Sequence, residues 1–437
     1  MMTWKMKCLT KLNRMKKSIL IFALSIVNYA YAQQKENIIF SGATIHVGNG
    51  ELIENGRMHI KNGIIVVIEN AQSTSTIVDP TAIVINATGK HIYPGLIAPY
   101  TRLGLEEVEA VRATLDYFEV GELNPNVRAL ISYNTDSKLI PTVRSNGVLT
   151  AMTVPEGGIV TGSSSLMKLA GWNWEDAVYK ADVGIHLNWP SMRIYSASWA
   201  PSAEDQKSNT EKRFIELRTF FNQAKAYNEI SRPLVKNLKF AAMQDLFSGK
   251  KKLFIAADYS KDIIAAVNFS KEFGITPIIV GARDAHLVLN FLKENNIAII
   301  LENAHSLPSR EDDDIDLPYK KAAILYNAGI KYCMAINGSW QQRNLPFEAG
   351  TTAAYGVPRE MALRSVSLSA AEILGVADNL GSLTKGKDAT LLISTGDLLD
   401  MKSSNVERAW IQGSEIKLKN SQNELNEKYV KKYGIDQ

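Results

Sequence analysis

The sequence predicts an α/β protein: a (β/α)8 TIM-type barrel joined to a small composite β-sandwich domain formed by the N- and C-terminal segments. Three observations carry this reading. In the second half of the chain, short apolar runs alternate with helical patterns, the signature of parallel β/α architecture. Before residue 90 and after residue 380 the pattern changes to brief β-like runs punctuated by turn residues. The 437 residues, 46% hydrophobic and 22% charged, suit a globular protein with a large core, and that length favours a closed barrel over an open sheet.

Residues 1–32 read as a secretory signal peptide. Lys5, Lys7, Lys11, Arg14, Lys16 and Lys17 precede an apolar run from Ser18 to Val27, and Ala30-Tyr31-Ala32 supplies a small-x-small cleavage pattern. Translation starting at Met15 gives a more usual basic region; an N-terminal membrane anchor is the alternative. Cleavage after Ala32 removes six basic residues and no acid, leaving 43 basic against 45 acidic residues. The apparent basicity thus belongs to the export signal, and a nucleic-acid partner is not expected. Cys8 leaves with the signal and Cys333 remains alone, so no intrachain disulfide is expected. The mature chain is expected to be periplasmic or secreted, with no membrane association.

Residues 33–90 with 380–420 form the expected composite β domain. Its runs begin at Ile38, Arg57 and Ala82, separated by Gly48-Asn49-Gly50 and Asn62-Gly63, with partners beginning at Gly381 and Val406. Residues 91–379 form the expected barrel. Strands are predicted at Lys252 to Ala257, Thr276 to Val280, Ile297 to Leu301 and Lys331 to Ile336; helices follow the first and are predicted over Ala285 to Asn295, Pro318 to Gly329 and Pro358 to Gly375. A further helix, Thr210 to Ile230, has Asn209 as its cap and packs Phe214, Leu217, Phe221, Ala224 and Tyr227 on one face. Residues 421–437 form a polar C-terminal tail expected to fray. Gly157 to Gly162, with Ser163 to Ser165, loosely resembles a phosphate-cradling loop but lacks the G-K-[ST] ending. For Trp172, Trp174 and Trp189, core packing and ligand stacking both stay open.

Five stretches carry a family resemblance: Y-P-G-L-I from Tyr93, S-N-G-V-L-T-A-M-T-V-P from Ser145, L-Y-N-A-G-I-K from Leu325, S-A-A-E-I-L-G-V from Ser369 and G-S-L-T-K-G-K-D-A from Gly381. From about Ile38 to Ile416 the chain resembles the amidohydrolase superfamily, within it the imidazolonepropionase-like branch. The resemblance implies a hydrolase scaffold with its site at the C-terminal ends of the barrel strands. It also implies one or two divalent cations, held by two histidines one residue apart on the first strand, a lysine or glutamate from a middle strand, a histidine from each of two later strands, and a final aspartate that doubles as general base. Alternate residues of a strand share a face, so such a histidine pair points two imidazoles at one cation, which activates water and polarises the scissile carbonyl.

At those positions this chain carries Tyr100 and Arg102, Ala256, Gly281, and Asn337. Methyl and hydrogen offer no donor atom, a guanidinium repels a cation, and a carboxamide does not take a proton at neutral pH. No metal is therefore expected. Among His46, His59, His91, His186, His286 and His305 no i, i+2 or i, i+4 pair exists to rebuild a cluster. Arg102, Lys168, Asp258 and Asp284 are the ligand candidates. Arg102 is expected to hold an anionic ligand or to salt-bridge a carboxylate such as Asp258. Asp258 and Asp284 follow strand ends, where they do acid–base work or simply cap helices. Lys168 falls where some relatives place a site lysine, with an ordinary ion pair as the alternative.

The functional expectation is an exported amidohydrolase-related protein without the usual divalent site, non-catalytic or altered, binding a small ligand or pairing as a homo- or hetero-oligomer with an active paralogue. The alternative is a working hydrolase of carbon–nitrogen bonds, in amides or cyclic amides, with zinc or another divalent cation.

Overall fold

The computed structural model describes residues 36–70, 72, 79–230 and 232–434; the expected signal peptide, 1–32, lies outside the described residues. The chain opens with β1 (Ile38–His46), β2 (Leu52–Lys61), β3 (Ile64–Asn70), β4 (Ile83–Asn86) and β5 (His91–Pro94). Asn62 and Gly63 both have positive φ, 54° and 82°, the geometry of a two-residue turn whose twist matches the strands, and they join β2 to β3.

The second sheet follows in chain order: β6 (Leu96–Thr101), β7 (Val148–Thr153), β8 (Val160–Lys168), β9 (Val178–Asn188), β10 (Lys252–Ala257), β11 (Ile278–Gly281), β12 (Ala298–Glu302) and β13 (Tyr332–Ala335). Each pairs with its successor, and β13 returns against β6, so the sheet is nearly closed. β14 (Leu391–Ser394), β15 (Val406–Ile411) and β16 (Ser414–Ile416) then rejoin the first sheet, β14 pairing antiparallel with β5. That sheet therefore takes strands from both ends of the chain. Its core gathers Phe40, Met58, Ile60, Ile92 and Trp410, with Phe40 edge-on to Trp410 at 5.1 Å.

The barrel departs from a strict eightfold β/α repeat. Among the described residues β8 alone runs against its neighbours: it pairs antiparallel with both β7 and β9, while the other neighbouring pairs are parallel. The cause is local. Only six residues separate β7 from β8, too few for a crossover helix, and Gly157 and Gly158, at φ 91° and 70°, turn the chain straight back. The segment that loosely resembled a phosphate-cradling loop is thus a hairpin followed by a buried strand, with Ser163, Ser164 and Ser165 all enclosed.

Helices follow the later strands: Ser260–Glu272 after β10, Leu289–Glu294 after β11 and Leu317–Ala328 after β12. The last has proline in its first turn and Gly329 at φ 72° closing it, the usual asymmetry of helix ends. The long helix is Ala203–Asn228, starting well before the predicted Thr210; its cap is Ser202, whose hydroxyl accepts from the Asp205 N–H at 3.1 Å, rather than Asn209. Its first turns are polar and exposed, so they carry no apolar period for a sequence reading to find. Leu217, Phe221, Ala224 and Tyr227 are buried as expected. The tail also departs from expectation. Ser421–Tyr433 is a helix opened by a capping box at Asn420 and Asn423, and Gln422 and Asn420 hydrogen-bond Thr142 and Ser145 at 2.9 and 3.0 Å.

Strand parity sorts the barrel core. Ile97, Phe254, Val280, Ile300 and Cys333 form one apolar cluster, joined by Ala370, Ile373 and Leu374 of the helix Leu368–Leu374. Their strand neighbours Leu96, Ile255, Ile279, Ile299 and Met334 belong to another, shared with the surrounding helices. Successive strand residues face opposite sides, so the first cluster fills the barrel and the second lies between strands and helices.

Candidate functional site

Two residues beyond that interior cluster, toward the C-terminal strand ends, the inward positions turn small or polar. Ala256 follows Phe254, Glu302 follows Ile300 and Asn337 lies just past β13. Together with Tyr100, Asp258 and Gly281 they line a cavity of about 600 Å³. Trp189, Tyr195 and Tyr259 add aromatic walls. Four of the five positions singled out in the sequence, Tyr100, Ala256, Gly281 and Asn337, thus converge on one cavity.

Gly281 is constrained twice. Its φ of 85° lies in the left-handed region, and a Cβ there would stand 2.6 Å from Asp258 Oδ1 and 3.9 Å from Glu302 Oε2. Two carboxylates therefore converge on the space a side chain at 281 would fill. Asp258 has Arg283 as its ion-pair partner at 3.6 Å.

Arg102 does not reach Asp258. Its guanidinium lies 3.0 Å from Glu106 and 3.4 Å from Glu156, over the Tyr117 ring at 4.7 Å. β6 ends at Thr101, so Arg102 lies past the strand, where strand alternation no longer fixes its direction. Asp284 also stays out of the cavity. It is 1% exposed, accepts from the Ser260 N–H at 3.1 Å at the start of the neighbouring helix, and pairs with Arg310 at 2.6 Å. That is the helix-capping role. Lys168 ends β8, and because β8 is antiparallel this carries it to the opposite end of the barrel, where Nζ meets Gln412 Oε1 at 3.4 Å rather than a carboxylate. Of the tryptophans, Trp189 is buried and borders the cavity, whereas Trp172 is exposed.

Two residues of the site were not anticipated, Glu302 and Glu156. Burial raises the Glu302 carboxyl to about 7; Asp258 pushes the same way, while a hydrogen bond with Asn337 and the Arg283 charge oppose it. Burial likewise raises Glu156 despite Arg102 beside it. The Tyr100 phenol is pushed up by burial and then by Glu302, so it stays a neutral donor. The signal for Glu302 was present in the sequence: an acid ending the apolar run A-I-I-L-E, in step with Ile300. His186 lies below, sharing a 2.8 Å hydrogen bond with Ser164 Oγ and stacked on Phe254, and burial drives it down to about 3. Chemically, a carboxyl titrating near neutrality beside a second carboxylate can take up or release a proton. Among the described residues, no group of three or more His, Cys, Asp or Glu is arranged to hold a metal ion.

This barrel, with a cavity at its strand ends, shares its fold with solved amidohydrolases. An amidohydrolase from Thermotoga maritima superposes with a TM-score of 0.75 at 23% identity, covering 87% of this chain and 99% of that one. A molinate hydrolase gives 0.56 at 13% identity, over 88% and 95%. In sequence the chain is 21% identical over 401 residues to amidohydrolase tasK of Hapsidospora irregularis, covering 82% of this chain but only 39% of that protein. It is 22% identical over 389 residues to an imidazolonepropionase of Streptococcus pyogenes, covering 80% and 86%. No family model matches. The homologues are thus an amidohydrolase and imidazolonepropionases, the superfamily and branch that the motifs indicated.

Proposed function

We propose that this chain is an exported amidohydrolase relative whose barrel mouth binds a small organic ligand without a resident divalent cation, and that it is non-catalytic or catalytically altered. One observation carries the reading: at the strand ends where the superfamily places metal donors, Ala256 and Gly281 offer none, and Asp258 closes against the space at 281. The remaining polar groups are better placed to grip an organic molecule. Tyr100 donates, Asn337 offers a carboxamide, and Asp258 and Glu302 accept. The sheet built from both chain ends is proposed to fold as a unit with the barrel docked on it, and the assembly in solution to be a homo-oligomer or a pair with an active paralogue.

The second reading, hydrolysis of amide or cyclic amide carbon–nitrogen bonds, is compatible with the Asp258–Glu302 pair and with relatives that are an amidohydrolase and imidazolonepropionases. One experiment separates the two: elemental analysis of the purified protein, with a hydrolysis screen over amides and cyclic amides, with and without added zinc or manganese. The expected outcome is metal well below stoichiometric and no turnover. Stoichiometric metal together with turnover overturns the proposal. Export is checked by N-terminal sequencing, which should begin at Gln33 in the periplasmic or secreted fraction.

A further inference from the structure

We propose that the ligand of the barrel mouth is a small organic cation, an ammonium or guanidinium group that docks on Glu302 and whose far end carries a hydrogen-bond acceptor. This inference rests on the ligand-binding reading above and specifies its chemistry.

The charges facing the cavity decide the sign. Glu156, Asp258, Asp262 and Glu302 line it, against Arg283 as the cation among its lining residues. Most of these acids are already satisfied. Asp262, 3% exposed, accepts from Ser191 Oγ at 2.7 Å and from the Met192 N–H at 2.9 Å. Glu156 shares Arg102 with Glu106, and Asp258 has Arg283. Glu302 is left over: among the described residues no cationic side chain forms an ion pair with it, and the like charge of Asp258 acts on it more strongly than the opposing charge of Arg283. A half-buried carboxylate without an ion-pair partner beside another carboxylate is a site that a cation improves and an anion worsens.

Polarity runs along the cavity axis. Glu302 ends β12 and is half-buried, whereas Arg283 is nearly half exposed at the rim. A second guanidinium, Arg193, stacks on Tyr195 and Tyr259, which also line the cavity, and donates to the Tyr259 hydroxyl. A negative floor beneath a positive rim orients a ligand with its cation inward and its acceptor outward. An independent observation also calls for an acceptor: Trp189 is 8% exposed and borders the cavity, and its indole N–H meets no acceptor among the described residues. Buried polar groups of this kind are rarely left unpaired.

Three probes of matched length test the charge rule: δ-aminovalerate, n-pentylamine and valerate, titrated calorimetrically into the whole mature protein in the presence of a chelator. δ-Aminovalerate is expected to bind best, n-pentylamine more weakly and valerate not at all. Glu302→Gln should weaken both amines at least tenfold. Amine affinity should also rise between pH 6 and pH 8 as Glu302 gives up its proton. Asp258, Glu156, Arg283 and the Tyr100 phenol are the other ionisable groups facing it, and Asp258→Asn should have a smaller effect. Preference for valerate, no binding by any probe, or amine binding unchanged in Glu302→Gln overturns the inference while leaving the metal-free reading standing. Stoichiometric zinc that survives purification and is lost in Glu302→Gln overturns that reading instead.

Discussion

Replacing Glu302 with glutamine should make the protein more stable, and only at neutral to alkaline pH. In the folded state the Glu302 carboxyl is raised from 4.5 to about 7, so it keeps its proton where the unfolded chain has lost it. Stability therefore falls as pH rises through that interval, and above about pH 7 the full cost of holding a buried carboxylate beside Asp258 is present. A shift of this size corresponds to about 3 kcal/mol. Glutamine keeps the volume and an acceptor for Asn337 but never ionises. Urea unfolding of both proteins, free of ligand, at pH 5 and pH 8 measures the effect. The two should agree within about 1 kcal/mol at pH 5, and the variant should be more stable by about 3 kcal/mol at pH 8. Equal destabilisation at both pH values would show that Glu302 is an ordinary structural carboxylate and would refute the reasoning. A stabilising loss of a cavity-lining acid is what a site held ready for a ligand predicts.

Three further outcomes follow from the same geometry. Gly281→Ala, at φ 85° and against Asp258, should cost about 1–2 kcal/mol in chemical denaturation; an unchanged midpoint would contradict the strain. Arg102→Met strands Glu106 and Glu156 and should lose about 2 kcal/mol, less than a fully buried pair because the guanidinium is partly exposed, and adding Glu106→Gln should restore much of it. His186, neutral in the fold and driven down to about 3, takes a proton on unfolding; stability should drop by about 2 kcal/mol from pH 6.5 to pH 5 for this group alone, a slope that His186→Gln flattens while keeping a partner for Ser164. An identical pH slope in that variant would remove His186 from the account.

Much of the scaffold was legible because its signals are local. The run Lys252 to Ala257 is β10 residue for residue, the Asn62-Gly63 turn joins two strands, and Pro318 and Gly329 bracket a helix. The family resemblance likewise singled out Tyr100, Ala256, Gly281 and Asn337, which line one cavity. Where the expectation failed, a distant partner or a silent stretch was responsible. The direction of β8 came from a six-residue hairpin and carried Lys168 to the far end of the barrel, the long helix began in polar turns with no apolar period, and Arg102 fell just past the end of β6.

The chain by itself specified that Ala256 and Gly281 carry no donor side chain, since a methyl group or a hydrogen has no lone pair wherever it is placed. Only the tertiary structure decided what surrounds them. The charge and proton affinity of Glu302 depend on burial and on Asp258, Glu156 and Arg283, groups brought together from far-apart segments when the strand ends meet. Composition and periodicity carry no information about that meeting, because electrostatic energies follow distance in space and not separation along the chain.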